Sequence, residues 1–278
     1  MGGNAAGSIA ADAPRPASVL SIAGSDSGGG AGIQADLKTF AAHGVHGLSA
    51  IAALTAQHTR GVTAVHVPDP GFLRAQIDAC FEDFDVRAVK LGMLATAEII
   101  HAVADALEHW RPGALVVDPV MVATSGAKLL ADDALDALRS RLLPMASVLT
   151  PNRPEAELLL GRRIGPGAEA DAALADLLAL GPDAVLLKGG HLAEGEVIDR
   201  FGSGVLRASF RSPRLPVEGH GTGCSLASAI AARLALGESP SAACRLGTEY
   251  IAGALAAGYQ PGRSGVVVLD HFWRLRES

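Results

Sequence analysis

Short apolar runs alternate with segments of helical hydrophobic spacing along most of this chain, and this alternation restricts the fold more than any other feature. The first apolar run, ASVLSIA, ends at Gly24, and the helix-patterned AGIQADLKTFAAHG follows it. Similar apolar runs recur as VRAVKLG, ALVVDPV and DAVLLKGG, with helical patterns between them. Such alternation predicts an α/β fold whose mostly parallel central sheet carries helices on both faces.

The remaining segments complete this prediction. Helical patterns occupy 96–109, 132–143 and 168–180, and two final helices begin near 224 and 240. EVIDRFGSGVLRASF predicts a hairpin, and QHTRGVTAVHV predicts a turn with an exposed strand, which we interpret as a small β flap over a ligand. Since no repeat, linker or charge block divides the chain, we expect one domain at 17–278 after a disordered tail at 1–16.

Composition and charge exclude several classes of function. The 278 residues carry a formal net charge of −6, which argues against nonspecific binding to nucleic acids or anionic membranes. Three cysteines without CxxC spacing favour a reducing compartment. The first sixteen residues lack the basic leader and apolar core of a secretory signal, and no apolar run is long enough to span a bilayer. We therefore expect a soluble, cytoplasmic protein.

Polar and Gly-rich loops follow the predicted strands. In open parallel sheets, ligands bind at the carboxyl ends of the strands, so these loops should converge on one site. They lie at 24–32, 92–95, 118–126, 150–155, 188–191 and 219–224.

The loop GHGTGC at 219–224 precedes a long apolar helix and is the strongest candidate for a phosphate site. Its three glycines let backbone N–H groups turn toward one point, and the helix start adds positive potential there. A thiol at a helix N-terminus ionises more easily than a free one, so we expect Cys224 to accept a proton from a substrate hydroxyl. The alternative is an ordinary helix start with a small buried cysteine.

Two stretches from the first half of the chain suit a small polar ligand. GSDSGGGAGIQAD is Gly-rich, but its spacing does not match the dinucleotide fingerprint. Its Asp26 and Asp36 are placed to hold a polar molecule, although Asp36 is equally compatible with a solvated helix position. Gln57 leaves a buried strand with a donor and an acceptor side by side, which suits an aminopyrimidine edge or, alternatively, a surface turn.

A group of acidic and basic side chains follows three later strands. Asp118 ends one strand, and Asn152 and Glu155 lie on the loop and first helical turn after another. Their oxygens suit Mg²⁺, while Asn152 as an N-cap and Glu155 in a first turn would also stabilise the helix. Lys188 emerges from an apolar strand before two glycines, where its ammonium could meet a phosphate or stay solvated.

Together these stretches resemble the hydroxymethylpyrimidine/phosphomethylpyrimidine kinases of thiamine biosynthesis, within the ribokinase-like superfamily. The resemblance covers roughly residues 17–275, and its motifs are AGSDSGGGAGIQADLKTF, ALTAQHTRGV, VKLGML, DPVMVATSG, LTPNRPEAELL, LLKGGH and GHGTGCSLASAIAA. It implies a ribokinase-like fold, ATP and Mg²⁺, and a homodimer. It also implies two successive phosphorylations, of 4-amino-5-hydroxymethyl-2-methylpyrimidine and then of its monophosphate.

The resemblance also implies roles for individual residues. It assigns substrate binding to Gln57, Gly24, Asp36, Thr55 and Met93; an anion hole and base to Gly221, Thr222, Gly223 and Cys224; nucleotide binding to Lys188, Asn152 and Thr222; and Mg²⁺ to Asp118 and Glu155. The chain departs from the family at Thr248, where a lysine is common, and in its C-terminal segment QPGRSGVVVLDHFW.

Three alternatives remain at this stage. Pyridoxal kinases share GTGC and the first glycine loop, so a pyridoxal or dual-specificity kinase is the nearest rival. A sugar kinase would be expected to carry Asp in place of Cys224. A catalytically silent binding regulator is the rival from another class, and ATP consumption would discriminate against it.

Overall fold

A computed structural model of the chain describes residues 15–122, 129–131, 133–190 and 195–276. The expected tail at 1–16 therefore lies almost entirely outside the described residues, as do residues 123–126 of the DPVMVATSG motif and residue 191 of LLKGGH.

Within these described ranges, nine strands form one central sheet in the order β3-β2-β1-β4-β5-β6-β7-β8-β9. The six neighbouring strands β2-β1-β4-β5-β6-β7 pair in parallel, whereas β3, β8 and β9 are antiparallel additions at the edges. The strands are β1 (Ser18–Asp26), β2 (His46–His58), β3 (Gly61–His66), β4 (Val86–Leu91), β5 (Leu115–Val117), β6 (Val148–Leu149), β7 (Val185–Leu187), β8 (Val197–Ser203) and β9 (Leu206–Ser212).

In the part of the chain that the structure describes, eight α-helices connect or follow these strands. They are α1 (Gly32–Ala42), α2 (Pro70–Asp83), α3 (Ala97–Trp110), α4 (Ala134–Ala137), α5 (Arg153–Leu160), α6 (Ala168–Leu178), α7 (Thr222–Ala235) and α8 (Pro240–Ala256). The predicted helix at 132–143 is present in less regular form, because α4 continues as a π-helical turn at Leu138–Leu142 and a 3₁₀ turn at Leu143–Met145.

Alternate residues of the central strands face two separate apolar cores, as the two-residue period of a strand requires. Leu20 and Ile22 of β1 point into the core covered by α2 to α6, whereas Val19 points into the core covered by α1, α7 and α8. The predicted fold class, a mostly parallel sheet with helices on both faces, is confirmed.

The hairpin of β2 and β3 forms the small flap at one edge of the sheet. Strand β2 pairs with β1 from His46 to Thr55, and its end, from Leu54 to His58, pairs antiparallel with β3. Leu54 and Val65 are exposed on this hairpin. The predicted hairpin near the other edge is also present as β8 and β9.

Candidate active site

The carboxyl ends of the parallel strands open into a cavity of about 540 Å³. It lies where the sequence places the ligand loops, and its lining contains every residue assigned a site role above except Asp36. The structure thus brings together Gly24, Thr55, Gln57, Met93, Asp118, Asn152, Glu155, Lys188, Gly221, Thr222, Gly223 and Cys224.

The start of α7 forms one wall of this cavity. Gly221 is the N-cap residue and adopts the left-handed conformation, with φ of 79° and ψ of 7°. A Cβ at this position would lie 1.9 Å from the Gly30 carbonyl oxygen, so only glycine allows the two loops to approach this closely. The N–H groups of the first helical turn, from Thr222 to Cys224, have no acceptor within the helix and are suited to an anion.

A second, two-stranded parallel sheet holds this loop in place, and sequence reasoning missed it. Strand β10 (Gly219–His220) pairs with β11 (Val267–Val268). The His220 ring and the Val268 side chain both crowd Gly30, where a Cβ would lie 2.6 Å from His220 Cδ2 and 3.0 Å from Val268 Cγ1. The apolar GVVVLD segment was the sequence feature that could have indicated β11, but only two of its residues pair in the strand.

Asp26 organises the first glycine loop. Its carboxylate accepts hydrogen bonds from the N–H groups of Gly28 (2.7 Å), Gly30 (3.1 Å) and Ala31 (2.8 Å), and His220 Nε2 lies 3.1 Å from Oδ2. Burial alone would raise the pKa of Asp26, but the bonds from His220 and the backbone lower it overall. Asp26 is therefore ionised, and its oxygens hold the loop.

Asp36 does not line the cavity, and this corrects the position predicted for it from the sequence. Both Asp36 and Lys90 have fully buried side chains, and Lys90 Nζ lies 2.9 Å and 3.0 Å from the two carboxylate oxygens. Ser21 and Ser228 donate further hydrogen bonds of 2.6 and 2.7 Å to Asp36. Residue 36 lies on the inner face of α1, opposite β4, and therefore faces Lys90 and not the cavity. The lysine inside the apolar run VRAVKLG was the sequence feature that could have indicated this ion pair.

The expected low pKa of Cys224 is also wrong for the free protein. Burial raises the pKa of the thiol to about 11, and the carboxylates of Asp118 and Asp36 act in the same direction. The Lys90 ammonium and a hydrogen bond from the Gly32 N–H lower it, but not enough to compensate. The helix start therefore carries a protonated thiol at neutral pH, with part of the residue still open to the cavity.

Lys188 lies between two carboxylates at the other side of the cavity. Its Nζ donates to Asp118 Oδ1 at 2.8 Å and lies 3.8 Å from Glu155 Oε2. Asn152 and Glu155 also form a capping box at the start of α5, with reciprocal bonds of 2.8 and 2.9 Å. Asn152 therefore combines an N-cap with a place in the cavity lining.

This cluster has the charge needed to hold a cation. Burial raises the pKa of Glu155 to about 7; Lys188 opposes the rise, and the neighbouring Asp118 carboxylate adds to it. Above that pKa, two carboxylates against one ammonium leave negative charge that an added cation would neutralise. Within the described ranges no group of three or more His, Cys, Asp or Glu side chains is arranged to hold a metal ion by itself. The donor set fits Mg²⁺, which takes one or two carboxylates and completes its shell with waters and substrate phosphates.

Thr248, where the chain departs from the family pattern, also lines the cavity. Its hydroxyl lies 3.2 Å from Asp199 Oδ2, while Asp199 Oδ1 accepts the Gly189 N–H at 2.8 Å. Sequence reasoning missed Asp199 because this buried acid lies within a predicted hairpin strand. The pair fixes the loop after β7, beside Lys188.

Comparison with known proteins gives a consistent result. Residues 26–268 match the model of the family described as phosphomethylpyrimidine kinase. The hydroxymethylpyrimidine/phosphomethylpyrimidine kinase of Streptomyces coelicolor is 47% identical over 263 residues, or 94% of this chain and 97% of the relative. The crystal structure of phosphomethylpyrimidine kinase from Clostridium difficile 630 is 45% identical, with a TM-score of 0.76 over 84% of this chain and 97% of that one.

A pyridoxal kinase has the same fold at lower identity. The structure from Staphylococcus aureus in complex with AMP-PCP and pyridoxal is 30% identical, with a TM-score of 0.86 over 95% of this chain and 96% of that one. These structural matches confirm the ribokinase-like fold that the sequence motifs implied.

Proposed function

Because the chain belongs to the phosphomethylpyrimidine kinase family, we propose that it phosphorylates 4-amino-5-hydroxymethyl-2-methylpyrimidine and then its monophosphate, using ATP, in thiamine biosynthesis. The observation that carries the proposal is a single cavity shared by three groups. Gln57 and Thr55 offer polar atoms to a heterocycle, the start of α7 offers N–H groups to a phosphoryl group, and Lys188 lies with two carboxylates beside them.

The pyrimidine side of the cavity is built for a flat, polar-edged ring. Gly24 has no side chain, and a Cβ there would lie 3.2 Å from Met93 Sδ, so the glycine keeps this wall open. Gln57 provides a donor and an acceptor in one plane, and the Thr55 hydroxyl lies 3.0 Å from its amide. Met93 supplies an apolar surface for the ring.

The phosphoryl side stabilises the charge that develops during transfer. The alcohol oxygen forms a bond to the γ-phosphorus while the bond to the bridging oxygen of ADP breaks, and N–H groups from Thr222 to Cys224 face the equatorial oxygens. Such transfer requires positioning and charge neutralisation more than a strong base. The hydroxyl proton passes late to the small thiolate fraction of Cys224, and Lys188 neutralises phosphate charge.

ATP use is supported by the AMP-PCP complex of the structurally similar pyridoxal kinase. We assign Mg²⁺ to Asp118 and Glu155, and nucleotide contacts to Lys188, Asn152 and Thr222. When bound, the cation would neutralise phosphate charge.

Assembly and location complete the proposal. None of the helices in the described part of the chain combines the length and hydropathy that crossing a bilayer requires. Together with the acidic net charge of −6, this supports a cytoplasmic enzyme that acts on small molecules and not on nucleic acid or membranes. The homodimer implied by the family resemblance stays a prediction, for which light scattering is the direct measurement.

Incubation with the pyrimidine alcohol, ATP and Mg²⁺, followed by mass spectrometry, tests the proposed activity. We expect both the monophosphate and the diphosphate, with kcat/KM higher for the pyrimidine alcohol than for pyridoxal. A strong preference for pyridoxal would assign the chain to the rival kinase. If neither alcohol supports ATP consumption, both the proposed activity and the rival pyridoxal kinase activity are contradicted.

Substitution of Cys224 by Ala should lower kcat by at least about tenfold, the lower range of general-base effects, with little change in the KM for ATP. Because the thiol pKa is raised to about 11, its thiolate fraction rises about tenfold per pH unit below that value. Above about pH 8, where Glu155 with its pKa of about 7 is already ionised, single-turnover rates of the unmodified enzyme should therefore rise with pH, and those of Cys224→Ala should not. Cys80→Ala, outside the cavity lining, is the matched control. Near-normal turnover in Cys224→Ala would leave only the glycine loop in the catalytic role.

A further inference from the structure

His220 contacts two cavity residues through one nitrogen atom. Its Nε2 lies 3.1 Å from Asp26 Oδ2 and 3.3 Å from the Gln57 side-chain amide nitrogen. The two neighbours make opposite demands. A carboxylate needs a proton on Nε2, whereas an amide NH₂ group needs a lone pair there.

The Asp26 carboxylate determines whether His220 Nε2 carries a hydrogen. Asp26 is buried and ionised, and its Oδ2 also accepts the N–H groups of Gly30 and Ala31, so it acts only as an acceptor. His220 Nε2 must therefore carry a hydrogen, in the neutral ring or in the imidazolium alike. The Gln57 amide atom beside this N–H group must then be the oxygen, because an NH₂ group there would place two donors against each other.

A second conflict at Gln57 has the same solution. The Thr55 hydroxyl has one hydrogen, yet it lies 2.9 Å from the Ser25 carbonyl oxygen and 3.0 Å from the Gln57 amide oxygen, both of them acceptors. A half-turn of the amide about its last single bond exchanges oxygen and nitrogen. The NH₂ group then donates to Thr55, Thr55 donates to Ser25, and Oε1 shares the single Nε2 hydrogen of His220 with Asp26 Oδ2 in a three-centre bond. Amide atoms are assigned from such networks, and this assignment removes both the contact between two donors at His220 and the contact between two acceptors at Thr55.

We infer that His220 is a positioning residue that fixes the Gln57 amide with its oxygen on the side of the anion hole and its NH₂ group on the side of Thr55. This inference rests on the proposed function, and it orients the substrate. The aminopyrimidine must place its 4-amino group against Oε1 and its ring nitrogen N3 against the NH₂ group. Since the hydroxymethyl group is attached beside the amino-bearing carbon, this orientation directs the alcohol toward Gly221–Cys224, which follow His220 directly in the chain.

The test uses an analogue whose edge is reversed. The 4-oxo analogue, 5-hydroxymethyl-2-methylpyrimidin-4(3H)-one, offers an acceptor at position 4 and a donor at N3. A site built for one hydrogen-bond pattern rejects the opposite pattern strongly, so we expect the unmodified enzyme to favour the amino compound by at least about 100-fold in kcat/KM. His220→Phe frees the amide to rotate and should lower that ratio by at least about tenfold. His220→Gln restores an N–H donor and should retain most of the preference.

The outcomes separate this inference from the proposed function. If the unmodified enzyme phosphorylates neither compound, the proposed function fails. If it phosphorylates the amino compound and His220→Phe slows both compounds equally, His220 has a structural role only and the inference fails. A crystal structure of the unmodified enzyme with the pyrimidine alcohol is independent of variant folding. The 4-amino nitrogen should lie on the His220 side of Gln57, and the reversed ring would overturn the inference.

Discussion

Replacement of Gly221 by Ala should lower kcat by about 10²–10³-fold, the loss expected when the donors of an anion hole are displaced. Gly221 has a φ of 79°, and an added Cβ would lie 1.9 Å from the Gly30 carbonyl oxygen. Neither atom belongs to a flexible side chain, so either the Gly30 loop or the start of α7 must move. Steady-state kinetics and a melting curve of the variant measure the effect.

Gly237 provides a matched control at the other end of α7. It also has a positive φ, 92°, but a Cβ there would meet nothing within 4 Å. Gly237→Ala therefore introduces the same kind of backbone strain, at a cost of about 1 kcal/mol, without the collision. We expect its kcat to stay near normal. Equal losses of activity in the two variants would show that strain, and not the contact between the loops, accounts for the effect.

Replacement of Lys90 by Met should lower the free energy of unfolding by about 3–5 kcal/mol, as expected when one partner of a buried ion pair is removed. Lys90 and Asp36 are fully buried, with their charged groups 2.9 Å apart. The variant leaves the Asp36 carboxylate with only the hydroxyls of Ser21 and Ser228 as partners. Urea denaturation followed by circular dichroism measures the loss.

Two further variants test whether the loss of stability comes from the unpaired buried charge or from the substitution itself. Removing both charges, in Lys90→Met/Asp36→Leu, should recover most of the lost stability because no unpaired charge remains. Arg245→Met breaks the exposed pair of Arg245 with Glu249 and should cost less than about 1 kcal/mol. A Lys90→Met loss as small as that of Arg245→Met would contradict the assignment of a buried ion pair.

The architecture was predictable from the sequence because hydrophobic period is a local property of each segment. The runs beginning at Ser18, Val86 and Val185 form strands as expected, and the glycine loops after β1 and before α7 reach the same edge of the sheet. Parallel topology alone brings these loops together. Irregular elements were less accessible: the π-helical turn after α4 and the two-residue strands β10 and β11 are too short to give a period.

The electrostatics of the site depend on contacts that no local pattern contains. Asp36 and Lys90 are separated by 54 positions, so the ion pair that removes Asp36 from the cavity becomes visible only in the folded chain. The position of Cys224 at a helix start was correctly identified, but burial and the nearby carboxylates outweigh the helix. His220 and Asp26 are 194 positions apart and meet for the same reason.

A crystal structure with the pyrimidine alcohol and AMP-PCP tests the central claim most directly. We expect the γ-phosphoryl oxygens about 2.7–3.1 Å from N–H groups in the first turn of α7, with the alcohol oxygen between the phosphorus and Cys224 Sγ. A γ-phosphoryl group bound away from this helix start, or an alcohol turned away from Cys224, would contradict the account.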